Sequence, residues 1–246
     1  MGENSKIAWC NHTYNPWRGC HKVSAGCTHC YMFRDQTRYG MDPNVVVRSK
    51  PKTFNLPLRL NKALEGSGKR EIVFVCSWSD YFIEEADSWR QDVWNIIAKT
   101  PNLFYLFLTK RAERIKECLP LNWGDGWENV GLGITAENQE MCDERMPILS
   151  SLPSKMKWIS VEPMLGPVVL PENSGLDWSI YGCESGNPRR VMNLDWVRAG
   201  ITDCGIKGIS PFVKQIEING ETTSELVDFP VDLRVREFPT KIYLPQ

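Results

Sequence analysis

The sequence predicts an α/β protein whose parallel sheet is wound as a partial βα barrel. Short apolar runs alternate along the chain with stretches of helical periodicity, the order in which parallel strands and crossover helices occur. Seven such runs can be counted from residue 45 onward, fewer than a closed eightfold barrel needs. Every run ends in residues that hydrogen-bond or carry charge, as the C-terminal rim of such a sheet does. A doubly wound sheet is the alternative that strand count alone leaves open.

Residues 1–44, rich in Trp, Cys, His, Gly and Asn, read as a long loop, with a short helix starting near 31–39. The β-branched run at 45–49 is taken as the first strand. A helix follows at 53–65, where Leu56, Leu60 and Leu64 recur at helical spacing, and a turn at 66–69. Strands are expected at 71–77, 103–109, 130–136, 157–163, 178–184 and 209–215. Helices are expected at 88–99, 111–119, 138–150 and 193–204, with Ser88 and Asn193 as caps. Asn219-Gly220 signals a hairpin in the tail. No linker divides the chain, so one domain over 1–246 is expected: a loop region at 1–44, a core at 45–215 and an extension at 216–246.

Hydrophobic content of 42% and charged content of 24% are ordinary for a globular protein. No apolar stretch is long enough for a membrane span, and MGENSKIAWC lacks the apolar centre of a signal peptide. Nine cysteines without an export signal point to a reducing, cytoplasmic setting. With a net charge of −1, nucleic-acid binding would need a local basic patch.

The stretch NPWRGCHKVSAGCTHCY, residues 15–31, holds Cys20, Cys27 and Cys30, with Gly19 and Gly26 each directly before a cysteine. Three thiolates can hold three irons of a [4Fe-4S] cluster and leave the fourth iron open. A zinc loop, with Cys10, His12, His21 or His29 as fourth ligand, and a set of inert thiols are the competing readings. At the strand ends, Glu162 and Glu184 each close an apolar run, so each needs a cationic partner; Lys110, Arg111, Lys214 or a ligand amine could supply it.

Longer segments resemble a family. The cysteine loop ahead of a βα sheet is similar to that of radical S-adenosylmethionine enzymes, although their usual first gap is three residues, here six, and His29 stands where they carry an aromatic residue. YNPWRGCHKVSAGCTHCY (14–31), FLTKR (107–111), GITAENQE (133–140), ISVEPMLGPV (159–168), YGCESGNPRR (181–190) and PFVKQ (211–215) resemble a branch frequent in phages, some of whose members take part in thymidine hypermodification. The Leu-Thr-Lys-Arg segment also resembles the spore photoproduct lyases. The resemblance implies a partial (β/α)6 barrel and a [4Fe-4S] cluster on Cys20, Cys27 and Cys30. It also implies S-adenosylmethionine as second cofactor, an electron donor such as flavodoxin or ferredoxin, and a modified DNA substrate. Placed by strand order, Ser77, Ser79 and Asp80 fall near the methionyl amine, Lys110 near its carboxylate, and Thr135, Glu137 and Asn138 near the ribose. Glu162 or Glu184 is expected to grip a substrate amine, and Arg189 and Arg190 to meet DNA. The expected reaction is isomerisation of a glycyl adduct of thymidine from N-linked to Cα-linked. A zinc-stabilised nucleic-acid module and a radical enzyme on another substrate, such as a thymine lesion, are the alternatives.

Overall fold

The computed structural model describes residues 3–186 and 188–243. Its main sheet has eight strands, curled into a half-barrel. They are β1 (His12–Tyr14), β4 (Glu71–Val75), β5 (Leu103–Thr109), β6 (Val130–Thr135), β7 (Met156–Val161), β8 (Trp178–Gly182), β9 (Ser210–Ile218) and β10 (Glu221–Thr223). The first seven of these run parallel in sequence order, and only β10 is antiparallel. A doubly wound sheet reverses strand order at a switch point. This sheet does not reverse, so it winds in the barrel sense.

The expected first strand is corrected. Val47–Arg48 (β3) pairs antiparallel with Trp17–Arg18 (β2) in a separate two-stranded sheet. The strand that opens the main sheet is β1, inside the stretch read as loop; three residues give no period to detect. The valine run instead covers the turn before Cys20: a Cβ on Gly19, whose φ is +94°, would sit 2.3 Å from the Val45 carbonyl oxygen.

The helices are α1 (Tyr31–Arg38), α2 (Pro51–Phe54), α3 (Leu56–Ala63), α4 (Asp87–Ala98), α5 (Ile115–Cys118), α6 (Gln139–Ser151) and α7 (Leu194–Lys207). The helix expected at 53–65 is broken into α2 and α3 around Asn55, and Pro57 follows at the second helix's first turn, where its missing N–H costs nothing. Much of the helix expected at 111–119 is a 3-10 turn. Ser88 does not cap α4, because a 3-10 turn at Glu84–Ala86 feeds the helix earlier. Asn193 does cap α7, accepting from Asp195 N–H at 2.9 Å. Asn219 and Gly220, with φ of 52° and 81°, form the expected two-residue turn between β9 and β10.

Alternation along the strands separates two cores. Val73, Val75, Tyr105, Phe107, Leu132, Ile159 and Val213 face the helices. Ile72, Phe74, Phe104, Leu106, Trp158, Trp178 and Phe212 face inward, where Trp9 packs against Phe74, Trp158 and Trp178 with centroids 4.7, 5.4 and 6.1 Å away. Strand β6 contributes glycines to this inner face, which lets the indole of Trp158 lie flat on it. A Cβ on Gly133 would stand 2.4 Å from that ring. Trp158 is fully buried and cannot swing away. Gly133→Ala is therefore expected to cost at least about 3 kcal/mol, the upper end of overpacking penalties. A urea midpoint equal to that of the parent chain would refute this account of VGLGIT.

Candidate active site

Continuing the inner-face alternation toward the strands' C-terminal ends changes its chemistry. Phe74 is followed by Cys76, Leu108 by Lys110, Trp158 by Ser160 and Glu162, and Phe212 by Lys214. Together with Cys20, Cys27 and Cys30 these side chains line one pocket, apolar at its floor (Trp9, Phe74, Leu108) and polar at its rim. Of the residues expected to hold S-adenosylmethionine, Ser77, Ser79, Asp80, Lys110 and Thr135 line this pocket, as do Glu162 and Glu184.

The cysteine loop is stitched to the strand ends at several points. Ser79 Oγ donates to the Gly19 carbonyl, and Gly19 N–H donates to the Trp78 carbonyl at 3.1 Å. Asn15 donates to Ser77 Oγ at 2.9 Å, and Tyr31 OH donates to the Ser77 carbonyl at 2.7 Å. Asp80 ties two strand ends together: it accepts from Thr109 Oγ1 at 2.7 and 2.8 Å and from Arg111 at 3.1 Å. Arg111 then reaches the His21 carbonyl at 2.9 Å and lies 3.7 Å from Cys20 Sγ. Burial, followed by the charge of Asp80, pushes the Cys20 thiol up to about 12.

Glu137 does not line the pocket. Its fully buried carboxylate accepts from Gly26 N–H at 3.0 Å, from Ser24 Oγ, and from Arg145 at 2.9 Å. Burial works against ionisation here, yet the Ser24 hydroxyl and the charges of Lys110 and Arg145 outweigh it and hold the group below the usual carboxylate range. A Cβ on Gly26 would press on Glu137 at 2.9 Å and Lys110 at 3.1 Å, which explains the glycine. Asn138 is also outside the lining; its Oδ1 caps α6, accepting from Met141 N–H at 3.0 Å.

Glu184, 5% exposed, is gripped by Arg190 through main-chain N–H at 2.8 Å and through the guanidinium, and it lies 3.2 Å from His29 Nδ1. Burial opposes its charge, and the Arg190 and His29 hydrogen bonds more than offset that, so its pKa falls. Arg190 also donates to the Ala25 carbonyl at 3.0 Å. The two arginines expected at DNA are thus engaged within the chain: Arg190 by Glu184 and the cysteine loop, Arg189 by Thr222 Oγ1. Glu162 pairs with Lys214, one of the partners expected for it. Lys110 has no ion-pair partner among the described residues.

Three cysteines in one pocket are a donor set that could hold an iron–sulfur cluster. All three histidines are engaged by carboxylates: His12 by Glu71 at 2.6 Å, His21 by Glu85 and His29 by Glu184. Cys10 is buried in the aromatic inner core. His12 and Cys10 are thus buried away from the cysteine loop, whereas His21 and His29 each meet their carboxylate through one ring nitrogen only. Cys20, Cys27 and Cys30 are free and partly exposed, and they share a pocket. Among the described residues no three His, Cys, Asp or Glu side chains gather as ligands of one ion. A cubane instead takes one thiolate at each of three separate irons.

The fold is that of a parallel half-barrel with its site at the C-terminal rim. It is similar to a spore photoproduct lyase variant with bound AdoMet and dinucleoside spore photoproduct (TM-score 0.51, 14% identity, covering 88% of this chain and 59% of that one). It is also similar to another spore photoproduct lyase variant (TM-score 0.51, 12% identity, covering 89% of this chain and 61% of that one). The chain thus spans about three-fifths of the length of these lyases. It belongs to the family described as protein of unknown function (DUF5131), matched over residues 4–228. No curated protein matches it. No helix among the described residues is long and apolar enough to cross a membrane.

Proposed function

We propose that the chain is a radical S-adenosylmethionine enzyme acting on a nucleobase carried in DNA, and more narrowly that it isomerises a glycyl adduct of thymidine from N-linked to Cα-linked. The observation that carries this reading is the meeting of Cys20, Cys27 and Cys30 with Lys110 in one rim pocket of a parallel half-barrel. When bound, a [4Fe-4S] cluster with S-adenosylmethionine would supply one-electron radical chemistry for hydrogen abstraction.

The chain's own residues do the rest. Cys20, Cys27 and Cys30 hold the cluster, and Lys110 offers an ammonium to the cofactor carboxylate. Trp9, Phe74 and Leu108 give a base an apolar floor that excludes water. Glu162 and Lys214 present one charge of each sign to an amino-acid head. Both carboxylates line the pocket, Glu184 paired with Arg190 and His29 and Glu162 with Lys214, and Glu162 is our choice for the substrate amine because it has the single partner. An external carrier of the flavodoxin or ferredoxin kind supplies the electron in a reducing cytoplasm. A second reading, reversal of a thymine lesion, is favoured by the dinucleoside spore photoproduct in the first lyase structure.

The test is anaerobic reconstitution with iron and sulfide, then reductant and S-adenosylmethionine with glycyl-modified, lesion-bearing or plain DNA. We expect 5′-deoxyadenosine in every arm and a mass-neutral rearrangement of the glycyl adduct alone. Lesion reversal would install the second reading. A colourless protein holding one zinc would end both.

A further inference from the structure

Helix α1 carries a feature that the pocket does not use. Tyr39, its C-cap, is 67% exposed and stacks on Trp78 with ring centroids 6.1 Å apart and planes 27° apart. Trp78 stands between Ser77 and Ser79, both of which line the pocket. Its backbone is pinned: the N–H donates to Asn15 Oδ1 at 2.7 Å, and the carbonyl accepts from Gly19 N–H at 3.1 Å and from Gln36 at 3.3 Å. The stacked pair therefore rests on a fixed base.

The start of the same helix touches the pocket through Tyr31 and Phe33. At about 1.5 Å per residue, Tyr39 lies about 12 Å further along the axis from Tyr31. Between them Arg34 and Arg38, one turn apart, are both exposed. Arg34 shares its Nε–H with Asp35 at 2.8 Å; Arg38 has no ion-pair partner among the described residues. Lys22 adds a third cation, 5.1 Å from the centre of the Phe33 ring. An aromatic surface approached by a row of cations matches a single nucleic-acid strand: the ring takes a base, and the cations take its phosphates.

We infer that Tyr39, backed by Trp78, is a stacking platform for a nucleobase that flanks the one in the pocket, with Arg34, Arg38 and Lys22 along the phosphates. This rests on the DNA reading of the substrate and assigns that DNA a path across the protein. Tyr39 is exposed, so its replacement spares the fold, and it is not among the residues that line the pocket.

The test uses the full chain and a fluorescein-labelled single-stranded oligonucleotide of about 12 nucleotides, read by anisotropy at about 50 mM salt. Tyr39→Ala should weaken binding about tenfold, within the range for loss of one base stack, while Tyr39→Phe binds as the parent does. Arg38→Glu should weaken binding and flatten its salt dependence. Formation of 5′-deoxyadenosine without DNA should be unchanged in all three. Equal binding by the parent and Tyr39→Ala overturns the platform and leaves the DNA reading standing. A parent chain that binds no DNA, single-stranded or duplex, yet still cleaves S-adenosylmethionine overturns the DNA reading and the platform with it. That outcome would leave the Tyr39 surface to a protein partner.

Discussion

Cys27→Ala protein, reconstituted anaerobically with iron and sulfide, should come out almost colourless and form no 5′-deoxyadenosine. On the proposed function each of the three thiolates would hold its own iron, so the loss of one would leave a corner of the cubane to solvent. Cys27 is only partly buried, so the apo variant should unfold in urea at the parent's midpoint. Cys10→Ala is the control. It removes a thiol that lies in the inner aromatic core and donates to Ser5 Oγ at 3.5 Å, and it should keep its iron. Iron retained by Cys27→Ala and lost by Cys10→Ala would overturn the ligand assignment.

The second large effect is expected at Glu137. Its carboxylate is fully buried and its partner Arg145 is 3% exposed. Removing one member of such a pair strands the other's charge, at a cost of roughly 3–5 kcal/mol. Glu137→Ala should therefore lower the urea midpoint strongly and, by freeing Ser24 and Gly26, reduce iron content as well. Glu137→Gln keeps acceptors for Ser24 and Gly26 but leaves Arg145 without its counter-charge, so it should fall between the two. A role at the cofactor ribose makes the opposite forecast: affinity for S-adenosylmethionine falls, while iron and stability hold. Iron analysis and urea titration on the same samples separate the two roles.

The interior strands were legible because each is an apolar run of five or more residues bounded by turn residues. Strand β1 was not, since His12, Thr13 and Tyr14 gain their strand character only from pairing with Val73–Val75. The cysteine spacing pointed to a loop at the pocket, where the structure places Cys20, Cys27 and Cys30. What fixes that loop was not legible, because Arg111, Glu137 and Arg190 reach it from far along the chain. One local signal did exist. Arg145 shares the buried face of α6 with Cys142, Met146 and Leu149, and a cation on an apolar face requires a buried anion nearby. Glu184 was read as needing a cation from Lys110, Arg111 or Lys214, and its cation is Arg190 instead, a residue not weighed as its partner.

The anchoring of the cysteine loop also sets an order of events during synthesis. The three cysteines leave the ribosome early, but the groups that hold their spacer follow late: Arg111 lies 90 residues after His21, Glu137 lies 111 after Gly26, and Arg190 lies 165 after Ala25. Contacts at such separations form only after the intervening chain has emerged and its strands have paired. Until then the cysteines are a flexible thiol segment. If the loop holds a cluster, as proposed, its loading would be deferred to a nearly finished chain, and the nascent thiols would need protection from oxidation during the wait.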